Sequence, residues 1–332
     1  MIKITNELGL PLPLVTWLLN DDYDYNPDPL VVSATSLIKP TKKTVLSNAV
    51  TRSEHIQVHI DVKDKLASIR GQNLHAAIED SYKDVTKVKG LSEMLGMDVP
   101  EVRMEERLHA DIEVDGVTYT VSGKFDAIID SIVTDWKTES TYSFNDPVKH
   151  RDRKIQLSIY AWLCVKNDIP VNTKVGHYFS IYQNWMKGFA AKSDSDKYPD
   201  APIKRFETEL VTGKQLEFWI KDKIRERNAL SLEDANEITC TPDELWMGDA
   251  TYQYFSKPDA KRASKNFTSM GEAQAHLASK NGVGLIKEKP RFAKACEYCF
   301  GSAVCNQYQT LLSNGQIDNE SNAISLSPSF GE

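Results

Sequence analysis

Long apolar runs, cysteine and an excess of basic charge are all scarce in this chain. No stretch of its 332 residues approaches the roughly 18 consecutive apolar residues that cross a bilayer. The first residues, Met1-Ile2-Lys3-Ile4-Thr5-Asn6, lack the charged-then-apolar layout of a secretory signal. A cytosolic protein without a membrane partner is expected. With 40 Lys and Arg against 47 Asp and Glu, the net charge is −7. That excludes bulk polycation coating of nucleic acid but leaves room for a local basic groove. Five cysteines are too few for a disulfide framework in a chain this long. No G-x4-G-K-[ST] loop occurs, so any motor is a partner protein. What is present, 41% hydrophobic and 26% charged residues at a mean hydropathy of −0.43, is enough for one large core or two smaller ones.

Residues 1–32, with Asp21-Asp22-Tyr23-Asp24, Pro27 and Pro29, read as loosely structured, within an N-terminal segment 1–60 that packs on the core. Ser33 is placed to cap a short helix that Pro40 ends. Val62, Leu66, Ile69, Leu74 and Ile78 recur near helical spacing and predict a helix across Gly71 to Tyr82. Over 105–137 the period changes: Gly116 marks a hairpin turn, and short β-rich runs follow as an antiparallel meander. Helices are expected over 155–165 and 214–230, and strands over 174–182 and 203–210. Residues 241–290 read as polar, locally basic and irregular. Residues 309–332 hold five serines, three acids and no Lys or Arg, so a disordered tail is expected. The resulting division is a core over 61–235, a C-terminal lobe over 236–308 and that tail.

The strongest chemical signal is Gly123-Lys124-Phe125-Asp126, with Asp135-Trp136-Lys137 beginning nine residues after Asp126. Strand residues two apart share a face, so Asp135 and Lys137 project together, and a bend brings Asp126 alongside. Two carboxylates then hold a divalent cation beside a lysine ammonium, a grouping suited to phosphodiester hydrolysis. Magnesium or manganese fits such hard oxygen ligands best. A single D-x-K is also common in solvated hairpins, so its neighbours decide. His75 and Glu79 stand four apart on one helical face, as do Gln156 and Tyr160.

The ordered series G-x-x-x-H-x-x-x-E (71–79), G-x-x-D (123–126), D-x-K (135–137) and Q-x-x-x-Y (156–160) resembles the PD-(D/E)XK nuclease superfamily, in particular its RecB-like branch. The resemblance implies an α/β fold: a restriction-endonuclease-like core with a central mixed sheet flanked by helices, plus an irregular cysteine-bound C-terminal lobe. It implies that His75, Asp126 and Asp135, joined by the backbone carbonyl of Trp136, ligate the metal. Lys137 corresponds to the catalytic lysine, and Gln156 and Tyr160 to a pair that positions DNA or that lysine. Glu79 resembles the helix acid and serves as a partner of His75. Glu105 and Glu106, on the preceding strand, are weaker candidates and stay outside the set.

Cys296, Cys299 and Cys305 form C-x2-C-x5-C, which suits zinc and iron–sulfur centres alike. Within the RecB-like branch this spacing resembles a structural [4Fe-4S] staple, with zinc as the alternative. The relatives' fourth cysteine lies upstream, where this chain has none before Cys164. Cys164 sits on an apolar helix and reads as a buried core residue, which leaves Cys240 as the fourth ligand. Two basic stretches are candidates for phosphate contact: Lys149, Arg151, Arg153 and Lys154, and, near aromatics, Lys261 and Arg262.

The resemblance therefore implies an Mg/Mn-dependent deoxyribonuclease, an exonuclease acting on ends or single strands in phage replication, recombination or repair. A helicase or single-strand-binding protein is an expected partner, and the infected host cytoplasm the expected location. The alternative is a catalytically silent DNA-binding module of the same fold, for which the acids and lysine would be unnecessary.

Overall fold

The computed structural model describes residues 2–20, 26, 28–53, 56 and 58–317 of the chain. The run Asp21–Asp24, Pro27 and tail residues 318–332 lie outside the described residues. The protein is mixed α/β, with mixed sheets flanked by helices. The described residues form two compact units, one within 4–41 and 60–229, the other within 2–3, 42–59 and 230–317.

The first unit holds two sheets. Five strands run in the order Ile203–Glu209, Val175–Tyr182, Ile132–Glu139, Ala127–Ile129 and Val102–Met104. Ile132–Glu139 and Val175–Tyr182 pair in parallel, and the other pairs are antiparallel. Parallel neighbours need a long crossover, and helix Pro147–Lys166 supplies it. The other sheet orders Val31–Ser33, Val117–Lys124 and Arg107–Val114. The crossover helix buries every residue from Gln156 to Cys164, as expected of a helix covered on all sides. Its start lies eight residues before the expected 155, because Asp146 caps the amides of Val148 and Lys149 and Pro147 opens the first turn.

The expected helix across Gly71 runs from Leu66 to Lys83, and Ser33 caps helix Ala34–Ile38. The region read as loose at the N-terminus contains helix Leu12–Leu18, whose Leu18 packs with Val62 and Ile69.

In the second unit, helix Thr41–Arg52 packs directly against the cysteine segment. A Cβ at Gly301 would lie 2.7 Å from Leu46 Cβ and 3.0 Å from the Ser47 amide, so only glycine admits that approach. Apart from Thr41, this helix belongs to the second unit together with the C-terminal residues. Residues 241–290 are also less irregular than expected: Lys265–Phe267, Tyr252–Phe255 and Leu285–Glu288 make an antiparallel sheet under helix Met270–Ser279. Residues 309–317, expected to belong to a disordered tail, are instead ordered: Asn306–Ser313 is helical, and Leu311 and Ile317 are buried with Leu245.

Candidate functional site

Two crossings between the sheets of the first unit build the site. The chain leaves strand Val102–Met104 in the five-stranded sheet and enters Arg107–Val114 in the other through Glu105, whose φ is +54°. It returns from Val117–Lys124 to Ala127–Ile129 through Phe125 and Asp126. The crossings pair with each other: Glu105 N donates to Asp126 O at 3.0 Å, and Phe125 N to Glu106 O at 3.2 Å. Fully buried Phe125 anchors the junction. A left-handed non-glycine residue is uncommon and strained, and here it turns an acid toward its neighbour.

Helix Leu66–Lys83 brings His75 to these two acids. Its Nδ1 lies 3.3 Å from Asp126 Oδ1 and 3.5 Å from Glu105 Oε1. One ligand atom from each of His75, Glu105 and Asp126 lies within 4.8 Å of the others. The backbone amide of Trp136 donates to Asp126 Oδ2 at 2.7 Å, and Lys124 Nζ reaches Glu105 Oε2 at 2.6 Å. On the neighbouring strand, Lys137 Nζ and Asp135 Oδ2 are 2.7 Å apart, as the two-residue spacing requires.

The electrostatics follow from this crowding. Burial raises the Asp135 carboxyl, and the Asp126 charge adds to it, carrying it to about 7. Burial also opposes ionisation of Asp126 and Glu105, yet both are held below the usual carboxylate range. His75 and Lys137 outweigh burial for Asp126, and His75 and Lys124 for Glu105. For His75, burial alone would lower the imidazole, but Asp126 and Glu105 overcome it and raise it to about 10. Lys137 is raised by Asp135 and Asp126 against its own burial.

The donor set could hold a metal ion. Asp135 Oδ1 is buried and has no hydrogen-bond partner among the described residues, a cost of about 1–3 kcal/mol that a cation beside the acids would remove. Carboxylate oxygens are hard ligands and an imidazole a borderline one, so the group could hold a divalent metal ion. Glu105, a weaker candidate by sequence, joins the acids; the one sequence signal for it is an acid pair preceding an alternating strand.

A cavity of about 560 Å³ opens on these groups, lined among others by His75, Glu79, Glu105, Asp126, Gln156 and Tyr160. Gln156 Nε2 donates to Tyr160 Oη at 2.8 Å, so the pair acts as one buried unit on the cavity wall. Glu79 is bound to Lys83 at 2.9 Å. Gly123 of the G-x-x-D run has a packing reason: a Cβ there would lie 2.6 Å from Leu163 Cδ1 and 3.0 Å from Tyr160 Cε1. Only glycine lets the Tyr160 helix approach the strand that delivers Asp126.

One expected DNA contact is corrected. Arg153 is 8% exposed, pairs with Glu139 and lies over the Tyr178 ring, so it is a buried structural cation. Helical spacing turns it inward, toward the strand that carries Lys137. Arg151 is exposed and held by Asp152, while Lys149 and Lys154 are half-buried. Lys261 and Arg262 are exposed in the second unit.

None of the five cysteines is paired in a disulfide. Cys164 is fully buried in the main core, and burial pushes its thiol up to about 12. Cys240, Cys296 and Cys305 pack beside one small core. Burial raises Cys240 to about 11 and Cys296 to about 12, and Cys296 also feels Cys299, Cys305 and Cys240. Gln307 clasps Cys240, accepting from its amide at 2.7 Å and donating to its carbonyl at 3.0 Å. Lys42 is buried beside them, with Nζ donating to Ile238 O at 2.5 Å.

No protein-family model and no curated protein matches the chain. Among solved structures it is similar to SSO0001, at 20% identity and a TM-score of 0.41, over 65% of this chain and 85% of that one. It is also similar to a phage-related exonuclease from Haemophilus somnus 129PT, at 14% identity and a TM-score of 0.26, over 46% of this chain and 67% of that one. Among the described residues, no helix is long and apolar enough to cross a membrane.

Proposed function

We propose that the protein is a metal-dependent DNA nuclease of the PD-(D/E)XK type, an exonuclease acting on ends or single strands. The observation that carries this reading is the convergence of His75, Glu105 and Asp126 at the two sheet crossings, beside the Asp135–Lys137 pair. His75, Glu105, Asp126 and Asp135, with the Trp136 carbonyl, would hold Mg²⁺ or Mn²⁺. Bound there, the cation supplies Lewis-acid polarisation of a phosphoryl oxygen and acidification of water.

The chain's own groups do the rest. Lys137 holds a fixed positive charge beside the acids, where it offsets charge developing on the phosphoryl group. The Trp136 amide fixes the direction of Asp126, and the Gln156–Tyr160 unit orients the strand along the cavity wall. Cys240, Cys296, Cys299 and Cys305 would hold a structural centre, [4Fe-4S] or else zinc, that secures the C-terminal residues. A phage genome-processing role in replication, recombination or repair, with a helicase or single-strand-binding partner in the host cytoplasm, completes the reading.

The test is incubation of anaerobically purified protein with end-labelled single- and double-stranded DNA in Mg²⁺, Mn²⁺ or chelator. Metal-dependent shortening that Lys137→Ala and Asp126→Ala abolish is expected. Binding without cutting in either metal would instead favour the silent DNA-binding module.

A further inference from the structure

The small sheet of the second unit has two unlike faces. Tyr254 and Phe267 point to one side, where helix Met270–Ser279 covers them: their ring centroids lie 4.8 and 5.1 Å from that of His276. Opposing residues of an antiparallel pair share a face. Gln253 therefore projects to the other side with its partners Asn266 and Lys287, and Phe255 projects with them. Gln253 Nε2 donates to Asn266 Oδ1 at 3.3 Å, and Lys287 Nζ stands 5.5 Å from the centre of the Phe255 ring. Asn266 and Lys287 are exposed, and Gln253 and Phe255 are half-buried. Two amides, one aromatic ring, one cation and the half-buried Leu285 opposite Phe255 thus occupy a sheet face that the helix leaves open.

Charge says what such a face takes. Residues 252–292 carry eight Lys and Arg against three Asp and Glu, in a chain whose net charge is −7. The local excess is maintained against the overall sign, so a polyanion is the complementary partner. An aromatic ring beside cations offers a stacking surface to any unpaired base, whereas a duplex conceals its base faces. The amides add hydrogen bonding to base edges.

We propose that this open face, centred on Phe255 and Lys287 and flanked by the exposed Lys261 and Arg262, is a docking platform for single-stranded DNA. The inference rests on the reading of DNA as the substrate and adds where an unpaired strand is held. Its location on the second unit gives the chain a strand-holding surface built from residues other than those of the cavity.

The test is fluorescence anisotropy of labelled oligo-dT with the full-length, cofactor-loaded protein and no added divalent cation, so that binding is read without cutting. Phe255→Ala is expected to weaken binding about tenfold, the effect of one lost stacked base, while Phe255→Trp retains it. Lys261→Glu combined with Arg262→Glu is expected to weaken binding and to lower the slope of log K against log salt by about 0.7 for each lost phosphate contact. These exposed loop positions keep the test informative if Phe255→Ala misfolds. Unchanged affinity in both variants would overturn the proposal. So would tighter binding of a matched duplex, of oligo-U, or of polyglutamate, the last reassigning the face to an acidic protein segment. A chain that binds oligo-dT but never cuts DNA would overturn the nuclease reading alone. A chain that cuts DNA while both variants bind normally would overturn the platform alone.

Discussion

The backbone amide of Trp136 donates to Asp126 Oδ2 at 2.7 Å, and this bond joins the two acidic motifs of the site. Asp126 sits at a crossing between sheets and Trp136 inside a strand of the five-stranded sheet, so the hydrogen bond fixes a carboxylate that its own segment would leave free to rotate. Its other oxygen is thereby directed at His75.

Glu105 is expected to matter as much as the acids of the sequence motifs. Glu105→Gln removes a charge beside His75 and Asp126 at unchanged size, and is expected to lower metal-dependent cleavage about 10²–10³-fold with the fold intact. Cleavage rates at saturating Mn²⁺, with circular dichroism as the control for folding, measure this.

Gly123→Ala is expected to cost about 1–3 kcal/mol, because the added methyl group meets Leu163 and Tyr160 at less than contact distance. Denaturant unfolding reads that loss. Cleavage is expected to fall too, since the displaced helix carries the Gln156–Tyr160 unit.

Arg153→Ala is expected to act on stability rather than on DNA contact. Arg153 and Glu139 are both buried, so removing the guanidinium strands a buried carboxylate at a cost of about 3–5 kcal/mol. The exposed Arg151 is the control: Arg151→Ala is expected to shift the unfolding midpoint little.

The proton on His75 is expected to oppose cation binding. Burial would lower its pKa, but Asp126 and Glu105 raise it from 6.5 to about 10 in the metal-free protein. A group raised on folding adds stability that is complete below its unfolded value. That contribution is lost as pH climbs from 6.5 through 10. A ligating imidazole must be neutral, so Mn²⁺ affinity is expected to rise with pH over this window, and binding well above the Asp135 value of about 7 to release about one proton. Calorimetry in buffers of different ionisation enthalpy counts that proton.

Much of this arrangement was legible in the residues themselves. The period of Leu66, Ile69, Leu74 and Ile78 marked the His75 helix, and the two-residue spacing of Asp135 and Lys137 placed them on one face. Position 105 was not legible, because its role depends on a left-handed backbone and on a strand crossing that local patterning does not encode. Arg153 misled for a related reason: its partner Glu139 lies on another element, and only tertiary packing turns a basic helix residue inward. The start of the Gln156 helix was missed because polar residues 147–154 carry no apolar period, and the Asp146-Pro147 cap was the available signal.

The most direct measurement is electron paramagnetic resonance titration of metal-free protein with Mn²⁺, comparing wild type with Asp126→Asn and Glu105→Gln. One bound Mn²⁺ per chain at this centre, weakened severalfold or more by either substitution, is the expected result. Manganese binding of equal stoichiometry and affinity in all three proteins would contradict the assignment of His75, Glu105, Asp126 and Asp135 as the metal centre.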